Sequence, residues 1–178
     1  MRCFARLYAE LDASTATSAK LAALRAYFAE APAADAAWAL YFLSGGKPRQ
    51  VVPTAVLRAL ACRSAGIDDW LFEACYQAVG DLAETIALVL PASTDSTDLA
   101  DDRGLAFWVE QRLLPLRGLA PEEQAARIAQ AWRELDSDGR FLLTKLIGGG
   151  LRVGVSKLLV QRALADMPVS TRSRWRSG

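Results

Sequence analysis

Apolar residues recur along this chain at helical spacing, and the alternation that marks a strand is almost absent. Phe4, Leu7, Tyr8 and Leu11 form one stripe. Leu21, Leu24, Tyr27 and Phe28 form a second, preceded by Thr15-Ala16-Thr17-Ser18 as candidate caps. Asp35 stands where a cap would open a third helix carrying Trp38, Leu40, Tyr41 and Phe42. That helix should end in the basic turn Ser44-Gly45-Gly46-Lys47-Pro48-Arg49. Pro53-Thr54 opens a fourth helix ending at Gly66. Asp68 caps a fifth, with Trp70, Leu71, Phe72, Cys75 and Tyr76. Gly80-Asp81 breaks the pattern before a short apolar helix over 82–90, which Pro91 stops.

Residues 92–102 are small, polar and acidic, the composition of a flexible loop. Helices are predicted over about 105–114 and over 121–135, the second with proline in its first turn. Asp136-Ser137-Asp138 caps the run 140–147, and a last helix opens at Ser156 and fades by Asp166-Met167-Pro168. The basic Arg/Ser tail, 166–178, reads as disordered. The expected fold is all-α, a compact array of about ten short helices joined by tight connections.

Composition narrows the chemistry. The chain has 178 residues, 52% of them hydrophobic, and a net charge of +1. That is ample for one core-forming domain, but it gives no strong overall field, so any binding of a polyanion must come from a local patch. Asp95, Asp98, Asp101 and Asp102 cluster away from the basic residues. There is no histidine, which removes Ser–His and Cys–His catalysis and histidine-based metal sites. Cys3, Cys62 and Cys75 form no CxxC pair and read as reduced thiols of a cytoplasmic protein. No signal peptide opens the sequence, and the uncharged apolar runs fall short of the ~18 residues a membrane span needs.

The stretch 139–165 carries the most information. Its only charges are Arg140, Lys145, Arg152, Lys157 and Arg162, all positive. Gly148-Gly149-Gly150 ends one helix, Leu151-Arg152-Val153-Gly154-Val155 follows as an extended piece, and a new helix begins. Glycines that open the backbone beside a helix start and fixed cations suit an anion. The segment is not a nucleotide-cradling loop. Gly149 and Gly154 have the GxxxxG spacing, but Val155 stands where lysine is required. Nor can it form a lysyl-adenylate through KxDG, because the only Asp-Gly is Asp138-Gly139 and position 136 is aspartate.

Lys47-Pro48-Arg49 is a solvated turn unless the fold brings it to the face of Arg152. The acidic pairs Asp68-Asp69, Asp101-Asp102 and Glu122-Glu123 sit at helix starts, where carboxylates favour the dipole better than they form a two-metal centre. Trp38, Trp70, Trp108 and Trp132 lie on apolar helical faces and are expected in the core. Trp175, in the tail, has no evident role.

Three stretches, in order, resemble the N-terminal DNA-binding domain of ATP-dependent DNA ligases, the bacterial enzymes in particular. They are residues 4–28 with the Leu43-Ser44-Gly45-Gly46 turn, Val79-Gly80-Asp81-Leu82-Ala83-Glu84-Thr85-Ile86-Ala87, and the most specific, 145–164, KLIGGGLRVGVSKLLVQRAL. The last matches the family pattern G-x-L-R-[ILV]-G followed by a helix. The resemblance covers 1–165.

It implies an all-helical domain that holds nicked duplex DNA through the minor groove and flanking phosphates, without sequence preference. Carried over, Gly149, Gly150, Arg152 and Gly154 would touch the sugar–phosphate backbone, with Lys157, Lys47 and Arg49 as further phosphate contacts. The parent enzymes use ATP and Mg2+ and seal nicks in repair, replication and recombination. The family continues into a nucleotidyltransferase domain and an OB-fold, and both are expected to be absent here. No catalytic residue and no metal ligand is therefore assigned, and whether the chain takes part in catalysis stays open. So do two other readings, a helical scaffold for DNA-repair proteins and an inactive remnant of a truncated ligase gene.

Overall fold

The computed structural model describes residues 1–49, 51–92 and 103–176. Among these every regular element is helical, in eleven α-helices, as the periodicity predicts. The loop expected over 92–102 lies, except for Ala92, outside the described residues. The chain divides into two compact units: residues 1–47, 103–107 and 151–178 form the first, and 48–102 with 108–150 form the second.

The first unit holds α1 (Arg2–Ala13), α2 (Thr17–Glu30), α3 (Ala33–Leu43), α7 (Leu105–Phe107), α10 (Lys157–Ala165) and α11 (Val169–Arg176). Helix α2 packs on α1 and on α10, while α3 packs on α7 and α10. Phe4, Leu11, Leu24 and Phe28 are fully buried. The ring of Tyr27 lies 5.8 Å from that of Phe4 and 5.6 Å from that of Phe28. Burial, and the nearby charge of Asp35, hold the Tyr27 phenol well above its ordinary pKa.

The expected cap on α3 is corrected. Pro32 holds that position, and the Asp35 carboxylate instead accepts from the backbone amide of Ala106 at 2.8 Å. A residue that reads locally as a cap is a long-range tie.

The tail is corrected as well. Residues expected to be disordered form α11, which docks on the end of α2. Trp175 packs edge-on against Phe28 at 6.2 Å, and its indole N–H donates to the carbonyl of Ala31 at 3.2 Å. Arg174 donates to the carbonyl of Ala29, and Arg172 donates to those of Ala165 and Met167. Helix C-termini leave carbonyls without intrahelical partners, and arginines satisfy them here.

The second unit holds α4 (Thr54–Ala65), α5 (Asp69–Val79), α6 (Leu82–Val89), α8 (Pro121–Glu134) and α9 (Ser137–Gly148). It also holds a π-helical turn, Trp108–Leu113, and a 3-10 turn, Leu114–Leu116. Pro115 accounts for the end of regular helix there: it has no N–H to donate, and its ring crowds the preceding turn. Helix α4 packs on α5, α6 and α8, and α6 packs on α5 and α9. Leu57, Phe72, Ile86, Val109, Leu113 and Leu142 are fully buried.

The buried side chains of Gln124 and Trp132 are paired in this unit. Gln124 donates to the carbonyls of Val51 and Leu116 at 3.2 and 3.0 Å, and Trp132 donates to the Thr144 hydroxyl at 3.2 Å. Trp70 departs from expectation. It sits in the first turn of α5 and is 70% exposed, so it is not a core residue.

Candidate nucleic-acid interface

Helix α9 is bracketed by two caps. The Asp136 carboxylate accepts from the amide of Gly139 at 2.8 Å. At the other end Gly149 takes φ +69°, a left-handed conformation that costs glycine no Cβ clash. The amides of Gly149 and Gly150 donate to the carbonyls of Leu146 and Lys145 at 3.2 and 3.1 Å. These two N–H groups therefore serve the helix end. Gly150 differs from Gly149: it has no positive φ, and a Cβ there would meet nothing within 4 Å. A Cβ on Gly149 would lie 3.9 Å from the carbonyl of Pro48. Arg49, the residue after that carbonyl, is exposed, as is Lys47.

The extended piece that follows belongs to the first unit. Val153 is buried and anchors it, while Arg152 and Gly154 on either side are exposed. Gly154 takes φ +57°, and its carbonyl accepts from the Lys20 ammonium at 2.9 Å. A Cβ on Gly154 would stand 3.2 Å from that nitrogen. Ser156 then caps α10, its hydroxyl accepting from the amide of Leu159 at 3.1 Å. Lys157 is exposed in the first turn.

The five cations of 139–165 fall into two groups. Arg140 donates to the carbonyl of Pro91 at 2.7 Å and to that of Trp132. Its partial burial lowers its pKa against the opposing pull of Asp136. Lys145 pairs with Asp81, the N-cap of α6. Burial alone would raise the Asp81 carboxyl, but the hydrogen bond and charge of Lys145 and the amides of Glu84 and Ala83 hold it below its usual value. These two cations serve the fold. Arg152, Lys157 and Arg162 are exposed, and no side-chain partner is found for them among the described residues.

Sequence reasoning missed two features. The first is Lys20, which lies 134 residues from the glycine whose carbonyl it meets. The second is the division of charge. The first unit carries 12 Lys and Arg against 5 Asp and Glu, a net of +7, and the second carries 9 against 15, a net of −6. A nearly neutral chain thus contains a strongly basic unit, and the three cations of 139–165 without a side-chain partner among the described residues all belong to it. Among the described residues no group of three or more His, Cys, Asp or Glu could hold a metal ion. No described helix is long and apolar enough to cross a membrane.

An all-helical fold in two units, the first of them carrying the net positive charge, defines the class of protein as a helical domain with a basic unit. The family described as DNA ligase N terminus matches residues 1–165, and the chain belongs to it, as the N-terminal DNA-binding domain of an ATP-dependent DNA ligase. Among curated proteins, none matches the chain. The residues present do not fit the parent enzymes' ATP chemistry: the position that KxDG gives to lysine is Asp136, and it is occupied in capping α9.

Proposed function

We propose that this domain grips nicked duplex DNA by its sugar–phosphate backbone, without reading sequence, in the sealing of nicks during repair, replication and recombination. The observation that carries the reading is Arg152, exposed beside the buried Val153 and without a side-chain partner among the described residues, in a unit of net charge +7. Backbone contacts give affinity and position but no base information, which suits a protein that must act at any nick. Lys157 extends the contact along α10, and Gly150 and Gly154 leave room for close approach. The exposed Lys47 and Arg49 serve as further phosphate contacts. ATP and Mg2+ act in the nucleotidyltransferase part of the ligase, which in this reading is supplied outside the helical domain. The setting is cytoplasmic.

About three to five phosphate contacts give a slope of log K against log salt of roughly −3 to −4.5, with Kd around 10⁻⁴ to 10⁻⁶ M at physiological salt. Arg152→Ala is expected to make that slope shallower by about 0.9 and to leave thermal stability unchanged, since the guanidinium is exposed. Equal slopes for the two proteins in a fluorescence titration would remove Arg152 from the interface. The scaffold reading has one observation in its favour, the exposed Trp70 and Leu71 on the acidic unit. A chain that acts only as a scaffold would show no salt-dependent binding of duplex at all.

A further inference from the structure

Beside the Arg152 loop, within the first unit, lies a recess of about 260 Å3 lined by Thr15, Thr17, Lys20, Gly154, Ser156 and Arg162, with Leu158 and Leu159. Its walls come from two stretches far apart in sequence: residues 15–20, at the start of α2, and residues 154–162, the loop leading into α10 and the first turns of that helix. Two cations and three hydroxyl side chains line it, and no carboxylate does. The two cations are held differently. The Lys20 ammonium is fixed by the Gly154 carbonyl at 2.9 Å, which uses one of its three N–H donors and leaves two. Among the described residues no partner is found for the Arg162 guanidinium, which carries five N–H donors.

Gly154 is needed for this arrangement twice over, for its positive φ and for the 3.2 Å approach of the Lys20 nitrogen to the place its Cβ would occupy. A recess with several donors, one fixed and one unpartnered positive charge and no acid in its lining suits an oxyanion. A tetrahedral oxyanion offers acceptors in every direction and takes charge-assisted hydrogen bonds from both ammonium and guanidinium.

We infer that this recess seats one phosphate group of a nucleic-acid strand, with Lys20 and Arg162 as its charged walls and the hydroxyls of Thr15, Thr17 and Ser156 around it. The inference rests on the reading of the unit as a DNA-backbone binder and adds two residues to it. Arg152 and Lys157 meet the rail of a duplex along an open surface. The recess takes a single phosphate into a bounded seat, and so fixes where along the strand the domain stands. Two cations contributed by helices far apart in sequence also tie the seat to the folded state of the unit.

The test uses the full chain, a short blunt duplex and a salt series. Arg162→Gln removes a side chain that holds nothing in the fold, so it should keep the wild-type circular dichroism and melting temperature. It is expected to weaken duplex binding roughly tenfold at 0.1 M salt and to make the salt slope shallower by about 0.9. Lys20→Met/Arg162→Gln should lose about 1.8 from the slope. Inorganic phosphate, followed by chemical-shift changes at the amides of residues 15–20 and 154–159, separates the two sources of the ligand chemistry. Saturable shifts in wild type that vanish in Arg162→Gln show the seat, and competition of that phosphate with duplex places the DNA strand in it. The inference is overturned if Arg162→Gln and the double variant, both folded, keep the wild-type slope. Should that happen while Arg152→Ala still lowers the slope, the seat fails and the wider reading stands. Unchanged slopes in all three would sink both.

Discussion

The glycines separate backbone need from ligand approach. Gly149 and Gly154 take φ of +69° and +57°, where a Cβ is strained. Gly149→Ala and Gly154→Ala should each cost about 1 kcal/mol in urea unfolding. Gly154→Ala should cost more of the two, because its methyl also presses on Lys20. Gly150→Ala, with no positive φ and open space around its Cβ position, should fall within about 0.5 kcal/mol of wild type. If duplex runs close to the backbone there, the same alanine weakens binding. A destabilised Gly150→Ala would show that the residue is kept for the fold and not for DNA.

Asp81 is a second residue-scale case. Its carboxyl titrates below its ordinary 3.8, so the folded state binds the proton more weakly than the unfolded chain. The stabilisation is complete above the unfolded value and is lost as pH falls through the folded one. The ion pair is part-exposed, so its worth is modest. Asp81→Asn should therefore cost about 1 kcal/mol at pH 7, and the gap to wild type should close as urea titrations are carried down through pH 3. A gap that persists in acid would mean that the Lys145–Asp81 pair does not carry the effect.

At the scale of elements, the helices themselves were legible. Leu21, Leu24 and Phe28 sit at the spacing that puts them on one face, and burial against α1 and α10 follows from it. What could not be read was partnership across long separations. Nothing local distinguishes Lys145, paired with an aspartate 64 residues away, from Arg152, which has no side-chain partner. Five cations read alike in sequence, yet two are spent on the fold. Trp70 looks like Trp132, but exposure depends on whether another element covers the face, and among the described residues none covers Trp70.

The tail fails for another reason. Its Arg/Ser composition lacks the apolar residues that pay for order, but its arginines bond carbonyls at the ends of α2 and α10, and a single indole finds Phe28. That reading makes a prediction. Trp175→Ala should destabilise the first unit by about 1–2 kcal/mol, through the lost ring contact and hydrogen bond. Hydrogen exchange at the last turn of α2 should speed up with it. No change there would mean that α11 does not hold that helix end.

For the whole molecule, chain order matters more than length. The first unit is assembled from both ends of the sequence, because α10 returns after more than a hundred residues to pack on α2. The second unit keeps α4, α5, α6, α8 and α9 within residues 48–150. The two should therefore respond differently to truncation. Removing 166–178 takes away α11, the buried Met167 and the Asp166 partner of Arg25, and should leave α2 packed on α10. Removing 151–178 takes α10 as well, and it uncovers Leu24 and Phe28, each fully buried in the intact chain. Exposing one such side chain costs roughly 1.5–3 kcal/mol, so two of them, with the α11 contacts, approach the whole stability of a small domain. The shorter protein should lose amide protection throughout α1, α2 and α3 while α6 and α9 stay protected, because their partners remain. It should also lose salt-dependent binding of duplex, since Arg152, Lys157 and Arg162 leave with the segment and Lys20 loses the loop that holds it. Protection retained in α2 after that cut would show that the first unit stands without its C-terminal helices, and that its basic face is built on α1 to α3 alone.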